Sequence, residues 1–192
     1  MKGLCRLEDG LKRNILDYFL LAVFAGLIIT ADQVTKALVR TNLPVQGVWS
    51  PWPWLTPYAR VVHWYNTGVA FGMFQGMNGV FIVLAILVSL AILYYFPRVP
   101  RQDWALRLAM GMQLAGAVGN LIDRVQFGHV TDFISIGNFA VFNIADASIS
   151  VGVVILILAV WIQDIKKKKE GLAGTLQVIP VEKAPSSEDE TK

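Results

Sequence analysis

The sequence predicts an all-α membrane protein: four transmembrane helices, with a small β-rich loop region lying on the extracytoplasmic membrane surface. Three observations predict it. Of the 192 residues, 55% are hydrophobic and only 16% are charged, against about 25% charged in a soluble domain. Four stretches are each long and apolar enough to cross a bilayer core of about 30 Å, which takes ~20 helical residues. Lysines and arginines gather in alternate connections between those stretches, the bias that orients a chain in a membrane. Net charge is only +3, in short patches beside the spans. That suits membrane orientation better than nucleic-acid binding, and no nucleic-acid partner is expected. Cys5 is the single cysteine, so no intramolecular disulfide can form.

The first helix is expected at about residues 18–39. It follows a basic patch and an apolar run, as a secretory signal would. Asp32 and Lys36 interrupt the end of that run and no clear small-x-small cleavage pattern follows, so the helix reads as uncleaved. The outer loop at about 40–76 contains "VWSPWPWLTPYARVVHWYN". Amphipathic aromatics gather at the headgroup level, and "ARVVHWY" has strand-like composition. Plain anchoring and a share in the site are equally open roles for these aromatics. The second helix, at about 77–96, is uncharged and ends at Pro97. The third, at about 104–122, carries "GMQLAGAVGN"; its small residues let helix backbones approach closely and mark it as the centre of the bundle. A loop at about 125–141 leads to the fourth helix, at about 142–163. The four-helix unit thus covers 1–165, and 166–192 reads as a basic, then polar, disordered tail.

Lys2, Arg6, Lys12 and Arg13 precede the first helix; Arg98, Arg101 and Arg107 lie between the second and third; Lys166 to Lys169 follow the fourth. Both termini and the middle loop are therefore expected in the cytoplasm, with the other two loops outside.

Polar residues cluster at the outward helix ends. An ionised carboxylate costs roughly 2.5–3.5 kcal/mol at a helix centre in lipid, so acids here point to function. Asp32 and Lys36 are spaced i, i+4 and can pair. Asn66 sits in a glycine-containing turn. Asn120, Asp123 and Arg124 share one region at the end of the third helix; Asn143 and Asp146 are i, i+3 at the start of the fourth. Asp132 lies between. The loop at 125–141 is too short to cross the membrane and return, so Asp123, Asp132 and Asp146 sit near one depth. Two adjacent carboxylates share a proton. One can then take a proton from water while the other holds the scissile carbonyl. Buried acids also serve proton relays and ion pathways, so spacing alone leaves both readings open. His63 and His129 have no metal-site spacing; no metal or cofactor is expected. A serine mechanism lacks its usual motifs.

"DQVTK" at 32–36, "NTGVAF" at 66–71, "GAVGNLIDR" at 116–124, "GHVTDF" at 128–133 and "FNIADASI" at 142–149 occur in order among four spans. Together they resemble the lipoprotein signal peptidases, the type II signal peptidases of bacteria. The resemblance covers about residues 18–163. It implies an aspartic endopeptidase of the bacterial inner membrane. Such an enzyme removes the signal peptide from diacylglyceryl-modified prolipoproteins, cutting just before the lipidated cysteine. Its partners would be those substrates and membrane lipid, with the site near the extracytoplasmic face; a monomer is expected. The family's catalytic aspartates map onto Asp132 and Asp146. Asp32, Lys36, Asn66, Asn120, Arg124 and Asn143 match its surrounding polar positions. Asp123 matches a family position too, with a supporting role orienting Arg124 or Asn120; paired with Asp146 it is the alternative dyad.

The sequence departs from the family pattern in two places. Ala115-Gly116-Ala117 stands where Gly-Gly-Ala is frequent, which keeps the close-packing logic. Asp132 and Asp146 are fourteen residues apart, a short interval for the family that shortens the loop between the acids. The competing class, a small ion-coupled transporter, should show discontinuous helices or symmetric halves, and neither is visible in the sequence. An intramembrane protease of the Gly-x-Gly-Asp type lacks its motif.

Overall fold

The computed structural model describes residues 2–68 and 73–177, with side chains for 14–68 and 73–169. Val69, Ala70 and Phe71 of "NTGVAF", and the tail from 178 onward, lie outside the described residues. In chain order the elements are α1 (Lys2–Asn42), β1 (Val48–Trp49), β2 (Ala59–Asn66), α2 (Asn78–Tyr95), α3 (Trp104–Phe127), β3 (Val130–Ile136) and α4 (Ile144–Gln177). Among the described residues, four helical segments are long and apolar enough to cross a membrane: Asn14–Asn42, Asn78–Arg98, Trp104–Phe127 and Ile144–Lys169. The expected all-α membrane architecture is present, with the small sheet at one end of the bundle.

Helix ends follow local chemistry. Pro97 sits in a single 3-10 turn, Phe96–Arg98, that closes α2; proline cannot donate the backbone bond that would continue the helix. At the end of α3, Gly128 takes a left-handed φ of 76° and its N–H caps the Arg124 carbonyl, the usual glycine termination. That places the end of α3 beyond the expected 122. α4 runs past 165, so residues 166–177 are helix and the expected disordered tail does not begin there. Lysine is a good helix former, and Lys168 pairs with Asp164 at i, i+4, 2.9 Å.

α3 touches each of the other three helices and packs most extensively on α4. Ala109, Gly111, Leu114, Ala115, Gly116, Ala117 and Gly119 are buried along it. A Cβ at Gly116 would fall on the Ala145 carbonyl and the Ile149 side chain of α4. One at Gly119 would sit 2.9 Å from Asp32 Oδ2 of α1. The small-residue stripe is thus what brings three helices together. The apolar cluster Leu21, Ala25, Ile92, Phe96, Leu114 and Ala115 fills the rest of the bundle centre. Leu84, Leu87, Leu90, Val154 and Ile157 point outward, where lipid tails would solvate them.

The sheet is antiparallel in the order β1-β2-β3. The "ARVVHWY" stretch forms β2 as its composition predicts. β3 falls inside the segment read from sequence as loop. Its register sets Trp64 against Asp132 and Asn66 against Val130, with an irregularity between Val61 and Trp64. After β3 the chain turns at Gly137, φ 51°, and doubles back. Phe142 N–H donates to the Ile134 carbonyl at 3.1 Å and Ile134 N–H to the Phe142 carbonyl at 2.8 Å. This return delivers residue 143 to the start of α4, directly beside β3.

Candidate active site

The doubled-back segment explains how two acids fourteen residues apart converge. Asp132 reaches the site from β3. Asn66 on β2 is paired with Val130, which makes Asp132 its diagonal neighbour across the ladder; such neighbours lie within reach of longer side chains. Asn66 Nδ2 donates to Asp132 Oδ2 at 2.8 Å, and its Oδ1 accepts from Gly68 N–H at 3.0 Å.

Asp146 reaches the site from the first turn of α4. Asn143 precedes that helix and caps it: its Oδ1 accepts from Asp146 N–H at 2.9 Å. Asp146 Oδ2 accepts from Asn143 N–H at 3.2 Å in return. This reciprocal pair satisfies backbone donors that a helix start leaves open. Asn143 Nδ2 also donates to Asp132 Oδ1 at 2.7 Å and to Asn120 Oδ1 at 3.1 Å. Asn120 Nδ2 in turn donates to Asp146 Oδ1 at 2.7 Å. Each carboxylate therefore has both oxygens held by amide donors, and Asn143 is common to both.

Lys36 lies beneath this network with no exposed surface. Its Nζ is 2.8 Å from Asp32 Oδ2, 3.2 Å from Asp123 Oδ2 and 3.0 Å from Asn120 Oδ1. Asp32 Oδ1 accepts from Ala145 N–H at 2.9 Å, so α1 braces the start of α4, where a helix dipole favours a negative charge. Asp123 Oδ2 accepts from Thr131 N–H at 2.9 Å, which ties α3 to β3. Buried charges are tolerated when paired and hydrogen-bonded on all sides, and this cluster meets that condition.

Asp132 is almost fully buried, at 1% exposure. Burial, and then the nearby charge of Asp146, push its carboxyl up to about 7. The hydrogen bonds from Asn66 and Asn143 and the charge of Lys36 act in the opposite direction.

A cavity of about 430 Å³ opens beside Asp146 and Asn66, the partner of Asp132. Asn66, Asn120, Arg124 and Asp146 form its polar side, and Phe139, Val141, Phe142, Ile149 and Val151 its apolar side. It can take an extended, largely apolar chain past Asp146.

The structure gathers the sequence-predicted residues into two groups. Asp132, Asp146, Asn66, Asn120 and Asn143 form the hydrogen-bonded centre; Asp32, Lys36 and Asp123 form the ionic base under it. Asp123 reaches Asn120 through Lys36. Arg124 is set apart: it lines the cavity, its Nη2 donates to the Gly68 carbonyl at 3.3 Å, and its guanidinium lies 5.2 Å from the Phe81 ring centroid. Three contributors escaped the sequence reading. Gln33 Nε2 bridges Asp32, Gly119 O and Asp123 at 3.0–3.2 Å. Arg40 donates to Thr131 Oγ1 at 3.1 Å and lies 3.6 Å from Asp123. Thr131 receives both ties. Arg40 continues the four-residue rhythm of Asp32 and Lys36, a signal present in the sequence.

Comparison with known proteins gives one consistent result. The family model described as signal peptidase (SPase) II matches residues 24–162. The chain is 37% identical over 158 residues to the lipoprotein signal peptidase of Bacillus subtilis, covering 80% of this chain and 98% of that protein. It is 36% identical over 135 residues to the one from Moorella thermoacetica, covering 70% and 87%. Among solved structures, one described as a bacterial membrane enzyme at 2.3 Å resolution superposes with a TM-score of 0.72 at 31% identity, covering 79% of this chain and 92% of that one. The chain is a membrane protease of the signal peptidase II family.

Proposed function

We propose that this protein removes signal peptides from bacterial prolipoproteins as an aspartic endopeptidase, with Asp132 and Asp146 as its catalytic pair. The single observation that carries the reading is Asn143, which donates to both carboxylates. At neutral pH Asp132, pushed up to about 7, can keep the one proton of the pair. The ionised Asp146 then takes a proton from the attacking water. Protonated Asp132 donates to the scissile carbonyl and stabilises the charge that develops on its oxygen. The proton bound by Asp146 passes to the leaving amine. No covalent intermediate is required.

Asp123 fits this role less well than Asp132. It is ion-paired with Lys36 and tied to Thr131, whereas Asp132, equally buried, is held by the amides of Asn143 and of Asn66, which lines the cavity with Asp146. Asp32, Lys36 and Asp123 are therefore positioning residues. The family supports prolipoprotein substrates; we assign as the substrate a membrane-held signal peptide that runs up to a diacylglyceryl cysteine and is cut just before it. The apolar side of the cavity suits such a segment. The Lys/Arg distribution supports an orientation with the sheet end, and with it the site, at the extracytoplasmic face and both termini in the cytoplasm.

The test is cleavage of a reconstituted prolipoprotein with and without the diacylglyceryl group, the products sequenced by mass spectrometry. The expected result is one cut immediately before the modified cysteine, with the unmodified substrate left intact. Equal cleavage of both, or cuts at scattered bonds, would overturn the substrate assignment.

A further inference from the structure

Gln113 stands in the membrane-spanning part of α3, flanked by Met112 and Leu114. Its side-chain nitrogen Nε2 is buried and has no hydrogen-bond partner among the described residues. A buried donor left unpaired disfavours the resting fold, and such a group in a native protein calls for an explanation. No step of the cleavage chemistry uses it. Gln113 and Asn120 are seven residues apart, close to two full turns. Both therefore project from one side of α3, with Gln113 about 10 Å further from the sheet along the helix axis. Asn120 lines the cavity with Asp146, and the cavity wall continues along α4 to Ser150 and Val151. The next residue, Gly152, lies at the depth of Gln113: a Cβ added there would come within 3.2 Å of Gln113 Cγ. Gly152 thus leaves room for the glutamine stem. α2 and α4 each pack on α3 without packing extensively on one another. Asn120 bonds to Asp146 of α4 and Arg124 lies on Phe81 of α2, so the strip of α3 that carries Arg124, Asn120 and Gln113 runs along the cleft between those two helices.

We propose that Gln113 is a substrate-binding residue: its amide donates to a backbone carbonyl of the signal peptide, on the amino-terminal side of the bond that is cut. The inference rests on the prolipoprotein reading and adds a contact to that same site. A signal peptide held in lipid is helical, because lipid leaves backbone groups no other partners. At the acids the chain must be extended to expose one peptide bond. Where the helix gives way, up to four carbonyls lose their partners, and hydrocarbon offers no water to replace them. Gln113 Nε2 is a donor at that depth with no other claim on it. An extended chain advances about 3.3 Å per residue and a helix about 1.5 Å. Over about 10 Å, the accepting carbonyl therefore lies about three to seven residues before the cut.

The experiment is steady-state cleavage of a diacylglyceryl prolipoprotein by the wild type and by Gln113→Met, with thermal unfolding of both full chains in detergent. Methionine keeps the length of the side chain and removes the amide. KM should rise about fivefold, the factor that one net hydrogen bond supplies. At saturation kcat should hold within about twofold, as for a contact made equally in the ground and transition states. The unfolding temperature should be no lower than wild type, because an unpaired buried donor has been removed. A second arm uses substrates that each carry one backbone ester, a weaker acceptor than an amide, at the positions about three to seven residues before the cut. One ester should reproduce the rise in KM with the wild type and add nothing with Gln113→Met. An unchanged KM in Gln113→Met, a loss confined to kcat, a variant less stable than wild type, or no ester whose effect disappears in the variant would each overturn the proposal. Wild-type turnover in the same assay keeps that failure distinct from a failure of the prolipoprotein reading.

Discussion

Asn143 holds both acids of the site: its side-chain Nδ2 donates to Asp132 at 2.7 Å and its backbone N–H to Asp146 at 3.2 Å. The same residue caps α4 through its Oδ1. Two jobs on one side chain can be separated by substitution.

Asn143→Ser keeps a capping oxygen and loses the amide that reaches Asp132. We expect helix stability close to wild type, because serine and asparagine cap about equally well, and a fall in kcat of about a hundredfold or more as Asp132 loses its orientation. Asn143→Ala should lose the same activity and about 1 kcal/mol of stability as well. Thermal unfolding in detergent, run beside the cleavage assay, separates the two. A fully active Asn143→Ser would mean that the amide bridge is dispensable.

The pH dependence follows from Asp132. Its carboxyl is raised from the ordinary 3.8 to about 7 in the folded protein. The folded state thus binds this proton more tightly than the unfolded state does. Its contribution to stability is complete below about 4 and is lost as pH rises to about 7. Activity should fall above about pH 7, as the proton that the pair shares is lost. Asp132→Asn should flatten the stability slope between pH 4 and 7; the slope is the readout, since asparagine also disturbs the bonds from Asn66 and Asn143. A slope unchanged by the substitution would contradict the assignment.

Lys36 offers a test of the ionic base. Lys36→Met keeps the length of the side chain and strands two buried carboxylates, Asp32 and Asp123. Removing one partner from a buried ionic cluster costs about 3–5 kcal/mol. A marked drop in unfolding temperature is expected, with activity lost through displacement of Asn120. A variant of wild-type stability would show that the cluster is solvated in the membrane-bound protein.

Gly116 tests the packing that brings α3 onto α4. A methyl group there meets the Ala145 carbonyl and the Ile149 side chain, so Gly116→Ala should force the helices apart and destabilise by about 1–3 kcal/mol. Because Ala145 adjoins Asp146, the cleavage rate should fall with it. Chemical denaturation compared with Gly26→Ala, where a Cβ meets nothing within 4 Å, supplies the control.

Much of this arrangement is legible in the sequence because the strongest signals are local. Uncharged runs mark the spans, glycines at 116 and 119 mark the close-packed helix, and the i, i+4 spacing of Asp32 and Lys36 marks a pair. β3 was not legible. In "VTDFISI" the polar residues fall at 131, 132 and 135 without a clean two-residue period, because the strand is covered on both faces and its polar groups are satisfied from inside. Gln33 was hidden for a related reason. Its importance arises from contacts with Gly119 and Asp123, far away in sequence. The helix beyond 165 went unread because a lysine run looks like a solvated tail whether or not it is wound.

The most direct measurement is turnover of a diacylglyceryl prolipoprotein by Asp132→Asn, Asp146→Asn and Asp123→Asn, each first shown to be folded by circular dichroism in detergent. Turnover should be abolished in the first two, while Asp123→Asn keeps a measurable rate with reduced stability. A folded Asp132→Asn enzyme that still cleaves, beside a folded and inactive Asp123→Asn, would contradict the account and move the reacting pair to Asp123 and Asp146.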